Sequence, residues 1–126
     1  MKKNKAVLLV SGGLDSVTLL HLVRNQIPDI HMISVIYGQR HQSKELECAK
    51  YWANKYGYSH SLLDISFFGQ LVSPVSAMVA DSELKPQDKL YDASEVPLTY
   101  VPFRNMLFIT MAAAVAETNK CNYIYY

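Results

Sequence analysis

Apolar positions along the chain fall into two alternating rhythms. Residues 6–10 (Ala-Val-Leu-Leu-Val) form an unbroken apolar run, as in a strand buried on both faces. Residues 17–26 place Leu19, Leu20, Leu22 and Val23 on a helical face, and Pro28 stands just past the end. Residues 31–37 (His-Met-Ile-Ser-Val-Ile-Tyr) predict a second buried strand. Residues 42–56 carry Leu46, Ala49, Ala53 and Tyr56 at helical spacing, and Gly57 closes that helix. Residues 59–64 predict a third strand, 105–118 an Ala- and Met-rich helix, and 123–126 the start of another strand. Strands separated by helical crossovers predict an α/β fold, a parallel sheet with helices on both faces. In such sheets ligands bind beyond the carboxyl ends of the strands, near the point where strand order reverses. The first three strand ends, at Ser11, Tyr37 and Asp64, are therefore expected to share one crevice.

Residues 72–100 break the rhythm. They hold Pro74, Pro86 and Pro97 among the charges of Asp81, Glu83, Lys85, Asp88, Lys89, Asp92 and Glu95. Ordinary connections are far shorter, so this stretch is expected to be a substrate lid or a poorly ordered loop. The rest of the composition narrows the class. The 126 residues suit one domain, and 50% hydrophobic with 18% charged residues suits a globular one. A net charge of +1 offers no basic field for nucleic acid. No apolar run approaches the ~20 residues of a membrane span. No signal peptide precedes the first strand, and Cys48 and Cys121 are isolated, which points to a free-thiol cytoplasmic protein. No two of the four histidines have metal-site spacing.

Three constellations carry chemistry. The first, Ser11-Gly12-Gly13-Leu14-Asp15-Ser16, joins a strand to a helix. A Gly-rich turn there aims several N–H groups at one spot, and the helix dipole reinforces them, a cradle for phosphate. Gly12 and Gly13 let an anion approach closely, and a side chain at position 12 is expected to clash with it. The spacing is neither that of a Walker loop nor that of a dinucleotide fingerprint. The Ser11 and Ser16 hydroxyls can donate to phosphate oxygens. Asp15 is either a magnesium ligand or a helix cap. The second, Tyr37-Gly38-Gln39-Arg40-His41, follows the second strand, and its Arg and His suit a phosphate or carboxylate, or simply a solvated turn. In the third, Thr99-Tyr100-Val101-Pro102-Phe103-Arg104-Asn105, Pro102 stiffens the approach to the late helix. Arg104 there opposes the helix dipole, which suits an anionic partner, or is an exposed Arg beside an Asn105 cap.

The first motif resembles the pyrophosphate loop of the ATP pyrophosphatase (PP-loop) superfamily. Taken in order with Tyr-Gly-Gln-Arg-His, Glu45 and Thr-Tyr-Val-Pro-Phe-Arg-Asn, it is similar to the pattern of the 7-cyano-7-deazaguanine synthase family of queuosine biosynthesis. The resemblance implies an adenine nucleotide alpha hydrolase-like, Rossmann-like PP-loop domain over residues 1–126. It implies an ATP-dependent ligase that converts 7-carboxy-7-deazaguanine and ammonia to 7-cyano-7-deazaguanine (preQ0) through an acyl adenylate. By that resemblance Asp15, Arg40, His41 and Arg104 are the catalytic candidates. Val10, Ser11, Gly12, Gly13, Leu14, Asp15, Ser16, Val17, Thr18, Tyr37, Gly38, Gln39 and Asn105 would hold ATP, with Mg²⁺ at Asp15 through the phosphates. Adenine would lie along residues 35–37 by main-chain hydrogen bonds. Neither nucleic acid nor membrane is an expected partner, and a homodimer stays open. Two features depart from the family pattern. Phe103 stands where glycine is usual, and no counterpart exists for the C-terminal segment whose four cysteines bind Zn²⁺, so an N-terminal fragment of doubtful activity alone is expected. The alternatives are another PP-loop amidating or tRNA-thiolating enzyme, and a nucleotide-binding module without catalysis.

Overall fold

The computed structural model describes residues 4–76, 78–80, 82–83, 97 and 100–126. Four strands, β1 (Lys5–Leu9), β2 (Asp29–Ile36), β3 (Ser59–Asp64) and β4 (Tyr123–Tyr125), pair in parallel in the order β3-β2-β1-β4. Between them run α1 (Leu14–Val23), α2 (Gln42–Tyr56), α3 (Ser66–Val72) and α4 (Arg104–Thr118). Alternate strand residues go to opposite faces. Ala6, Leu8, Ile30 and Met32 pack with Leu20, Val23, Ala49 and Ala53 of α1 and α2. Val7, Ile33 and Val35 pack with Phe68 and Val72 of α3 and Ala112 and Ala116 of α4. The expected sheet covered on both faces is what forms.

Element boundaries follow local chemistry. Gly13 holds an extended conformation (φ −76°, ψ 168°), so α1 begins at Leu14, three residues before the predicted start. It ends at Val23, because Ile27 precedes Pro28 and the chain must leave helical geometry first. α2 and β3 fall on the predicted residues. α3 lies in a stretch without a sequence expectation. Seven residues are too few to display a helical period, and Gly69 inside them resembles a breaker. Its start is fixed by Asp64, whose Oδ1 accepts the Ser66 hydroxyl at 2.6 Å and the Ser66 N–H at 3.0 Å. These two donors hold the Asp64 carboxyl below its ordinary pKa.

The expected long connection begins as packed structure. Ser76 and Val79 are buried, and Val79 forms an antiparallel bridge with Gln39. The Ser82 hydroxyl donates to the Ser73 carbonyl at 2.7 Å. The lid or disorder expectation for residues 84–96, 98 and 99 lies outside the described residues.

Candidate functional site

Chain order reverses between β1 and β4, and a crevice of about 470 Å³ opens beyond their carboxyl ends, within the range of small-molecule sites. The end of β3 takes no part in it, contrary to the expected meeting of three strand ends. Asp64 is committed to Ser66 at the start of α3, and Tyr126, just past β4, lines the crevice instead.

The crevice exists because β1 peels away from β2. The Val10 N–H donates to the Ile33 carbonyl at 2.8 Å as the last rung of that ladder. The Val10 carbonyl then turns to the Ser34 hydroxyl, 2.6 Å away. Ser34 has one proton, and a carbonyl can only accept it. His60 Nε2, 2.8 Å from Ser34 Oγ, is therefore the donor in its own contact, which fixes its tautomer. Burial, with Lys50 and His31 nearby, holds the His60 imidazole below its usual pKa.

The loop from Ser11 to Ser16 follows directly. Gly12 is left-handed (φ +89°), and a Cβ there would run into the main-chain carbonyl of Glu45. A side chain at 12 thus meets α2 before it meets any anion, which corrects the expected clash with phosphate. Within the loop, the Gly12 N–H donates to Ser16 Oγ (3.2 Å) and the Gly13 N–H to Ser11 Oγ (3.3 Å). The Ser16 hydroxyl donates to the Gly13 carbonyl at 3.1 Å. The first-turn N–H groups of α1 have no acceptor within the helix. Asp15 lines the crevice, and its carboxylate makes no hydrogen bond among the described residues. One exposed carboxylate beside a cradle of N–H groups fits a Mg²⁺ ion held chiefly by phosphate oxygens and water. Among the described residues no three of His, Cys, Asp and Glu gather as a metal-ligand set.

On the far wall, Gly38 (φ +84°) turns the chain out of β2. The Gln39 carboxamide folds back onto the strand. Its Oε1 accepts the Tyr37 N–H at 3.0 Å, and its Nε2 donates to the Val35 carbonyl at 3.3 Å and to Glu45 Oε2 at 3.2 Å. The Gly38 N–H donates to Gln42 Oε1 at 3.2 Å. The Arg40 guanidinium donates to the Ser82 carbonyl at 3.1 Å, and the Arg40 N–H donates to the Met78 carbonyl at 3.0 Å. Gln42 and Met78 lie outside the predicted set. Met78 falls in a stretch that composition marks as a loop.

Across the crevice stands the start of α4. Phe103 caps it in left-handed geometry (φ 53°, ψ 13°), the conformation glycine adopts without strain, and its ring is 72% exposed. Arg104 Nε donates to Asn105 Oδ1 at 3.2 Å, and its Nη1 lies 3.5 Å from the Tyr37 hydroxyl.

Of the predicted site residues, Val10, Ser11, Asp15, Ser16, Tyr37, Gln39, Arg40, His41, Arg104 and Asn105 line the one crevice. Gly12, Gly13, Leu14, Val17, Thr18 and Gly38 do not line it. Thr18 spends its hydroxyl on the Leu14 carbonyl (2.8 Å), and the Val17 N–H is bound to Gly13. Leu9, Leu19, Ile33, Glu45, Met78, Phe108 and Tyr126 also line it and were not among the predicted site residues, and Val35, at the start of the stretch expected to meet adenine, completes the lining. Glu45 carried a signal, as the carboxylate soon after Arg40-His41, whereas Phe108 and Tyr126 look like ordinary core and strand positions.

Comparison with known proteins places this geometry in context. The family model described as "Queuosine biosynthesis protein QueC" matches residues 5–126. A 7-cyano-7-deazaguanine synthase from Caldicellulosiruptor saccharolyticus is 41% identical over 122 residues, covering 97% of this chain and 52% of that protein. The 7-cyano-7-deazaguanine synthase of Rhodopirellula baltica is 45% identical over 117 residues, covering 90% and 45%. The chain thus spans about half the length of the curated relatives it matches. Among solved structures, the U34-tRNA thiolase NcsA from Methanococcus maripaludis with its [4Fe-4S] cluster superposes with a TM-score of 0.54 at 17% identity, over 96% of this chain and 36% of that one. That likeness concerns the fold.

Proposed function

The chain belongs to the family of the queuosine biosynthesis protein QueC, and from that premise we propose that the protein it comes from is a 7-cyano-7-deazaguanine synthase. The reaction is the ATP-dependent conversion of 7-carboxy-7-deazaguanine and ammonia to the 7-cyano product, in the cytoplasm. One observation supports this reading above others: the crevice at the strand-order reversal unites the Gly-turn motif with Arg40, His41, Arg104 and Asn105.

The roles follow from chemistry. The N–H groups of the first turn of α1, with the Ser11 and Ser16 hydroxyls, bind the phosphates of ATP. Gly12, Gly13 and Gly38 shape this wall rather than touch the ligand. Asp15 holds a Mg²⁺ ion, which would neutralise charge gathering on the departing pyrophosphate. Arg40 and Arg104, on opposite walls, orient the substrate carboxylate against the α-phosphate, so that the two reacting groups are held in line. His41 supplies a further polar contact at the mouth. Leu9, Ile33, Val35 and Phe108 give the crevice apolar walls against which a planar base can lie.

The test uses the full-length protein with Mg-ATP, 7-carboxy-7-deazaguanine and ammonia, following pyrophosphate release and nitrile formation. Turnover is expected in the wild type. Asp15→Ala is expected to lose about a hundredfold or more in rate with unchanged thermal stability, since its side chain is exposed and bonded to nothing described. Wild-type turnover in that variant would remove Asp15 from the mechanism.

A further inference from the structure

Beyond Val10 the β1-facing edge of β2 has lost its neighbour. In a parallel ladder alternate residues point to alternate sides. Ile33 faces β1 and accepts the Val10 N–H, while Ile36 faces β3 and accepts the Ile65 N–H. The Val35 carbonyl and the Tyr37 N–H therefore face the space that β1 has vacated, at residues that are themselves buried. Buried main-chain groups need partners. Here the partner is a side chain, the Gln39 carboxamide. Its orientation is not ambiguous, because the Val35 carbonyl can only accept and the Tyr37 N–H can only donate.

A carboxamide offers one acceptor and one donor side by side. The Watson–Crick edge of adenine offers the same pair in the same plane, N1 accepting and the N6 amino group donating. Gln39 thus fills a slot with the hydrogen-bonding face of a purine. The slot opens into the crevice whose rim carries Ser11, Asp15 and Ser16, so a base seated there would have its phosphates on the loop side. We propose that Gln39 is a place-holder. In the empty protein it occupies the seat of a purine edge, and it must swing out for the base to bind. Glu45 supplies the second position, since it already accepts from Gln39 Nε2 and can keep that bond while the carboxamide leaves the strand. This inference rests on the nucleotide-site reading above and adds to it a competitor built into the fold.

A competitor has a signature opposite to that of a contact residue: its removal tightens binding. The backbone of Gln39 keeps its bridge to Val79 and its carbonyl keeps the Gln42 N–H, so truncation spares the turn. In the full-length protein, calorimetric titrations would compare wild type, Gln39→Ala and Gln39→Glu with Mg-ATP, inorganic tripolyphosphate and 7-carboxy-7-deazaguanine. Glutamate cannot donate to Val35 and is repelled by Glu45. Both variants are expected to bind Mg-ATP about three- to tenfold more tightly, the worth of one net hydrogen bond, with tripolyphosphate unchanged. Tighter 7-carboxy-7-deazaguanine with unchanged Mg-ATP would keep the place-holder and give the seat to the substrate ring. Weaker or equal binding of both purine ligands overturns the proposal. So does an equal gain for tripolyphosphate, which would mean a looser loop rather than a vacated seat. Tighter Mg-ATP without nitrile formation would sink the enzymatic reading alone.

Discussion

A single missing Cβ at Gly12 ties the Ser11–Ser16 loop to its support. The left-handed backbone already disfavours any L side chain, and the Glu45 carbonyl fills the space where a Cβ would stand. The Gly12 backbone therefore both holds Ser16 Oγ within the loop and packs against α2. Gly69 is its counterpart beneath the other wall, closing against the Tyr37 carbonyl. These close approaches separate two explanations of a Gly12 variant. If the glycine served only to admit phosphate, Gly12→Ala would bind nucleotide poorly yet melt like wild type. The geometry instead requires a loss of stability without any ligand, roughly 2 kcal/mol or more from backbone strain and overpacking. Thermal unfolding of the ligand-free variant decides it, and an unchanged midpoint would detach the loop from α2. Sequence reasoning placed the glycine pair at a strand-to-helix turn because the flanking apolar run and helix were visible. It could not find Glu45 as the neighbour, since that contact joins residues more than thirty positions apart.

At the level of elements, the ends of the helices show where local chemistry is obeyed and where it is overridden. α2 closes on Gly57, left-handed at φ +69°, with its N–H on the Asn54 carbonyl (3.3 Å) and the Tyr58 N–H on Ala53 (3.0 Å). α4 closes with the same pair of bonds, Lys120 N–H to Glu117 (3.1 Å) and Cys121 N–H to Ala116 (2.8 Å), but with lysine in the left-handed position (φ 55°). Its other end is held by Phe103 in the same conformation. The Gly57 stop was therefore legible in the sequence, and the ends of α4 fall within one residue of the expected 105–118, but the left-handed residues that close it were not legible, because nothing in Phe or Lys signals a positive φ. α3 escaped notice for a related reason: its glycine reads as a breaker, while its real purpose is a close approach to Tyr37. Glycine at each end of α4 should relieve strain at a smaller entropic cost. Phe103→Gly and Lys120→Gly are each expected to raise stability by about 0.5–1 kcal/mol, read from urea midpoints at constant slope. A lower midpoint for Lys120→Gly would mean that its side chain contributes more than its backbone loses.

For the whole molecule, the parallel sheet and its two covered faces were readable from alternating strand and helix patterns, but strand order was not. Periodicity says nothing of neighbours, so the crevice was expected among the ends of β1, β2 and β3; it opens beyond β1 and β2 at the reversal toward β4, with Tyr126 in place of Asp64. The same order pairs polar groups that a linear reading leaves unpaired. His31, on β2, contacts Ser61 Oγ and Ser59 Oγ of β3 at 2.8 and 2.9 Å, and His60, on β3, contacts Ser34 of β2 at 2.8 Å. Burial, with Lys5 beside His31 and Lys50 beside His60, holds both imidazoles below their usual pKa of about 6.5. Asp29 acts on His31 in the opposite sense and is outweighed. The sign of the linkage follows. Below the ordinary value the unfolded chain takes up protons that the folded one resists, so acid favours unfolding. Stability is therefore expected to be level above pH 7 and to fall as pH drops through the region near 6.5 toward the lowered folded values. Urea midpoints measured between pH 5 and 8 would show this slope. In the double variant His31→Gln, His60→Gln the slope should flatten, because glutamine does not titrate and can still reach serine hydroxyls. An unchanged slope would move the acid sensitivity to other groups and leave the β2–β3 histidines as neutral hydrogen-bonding partners alone.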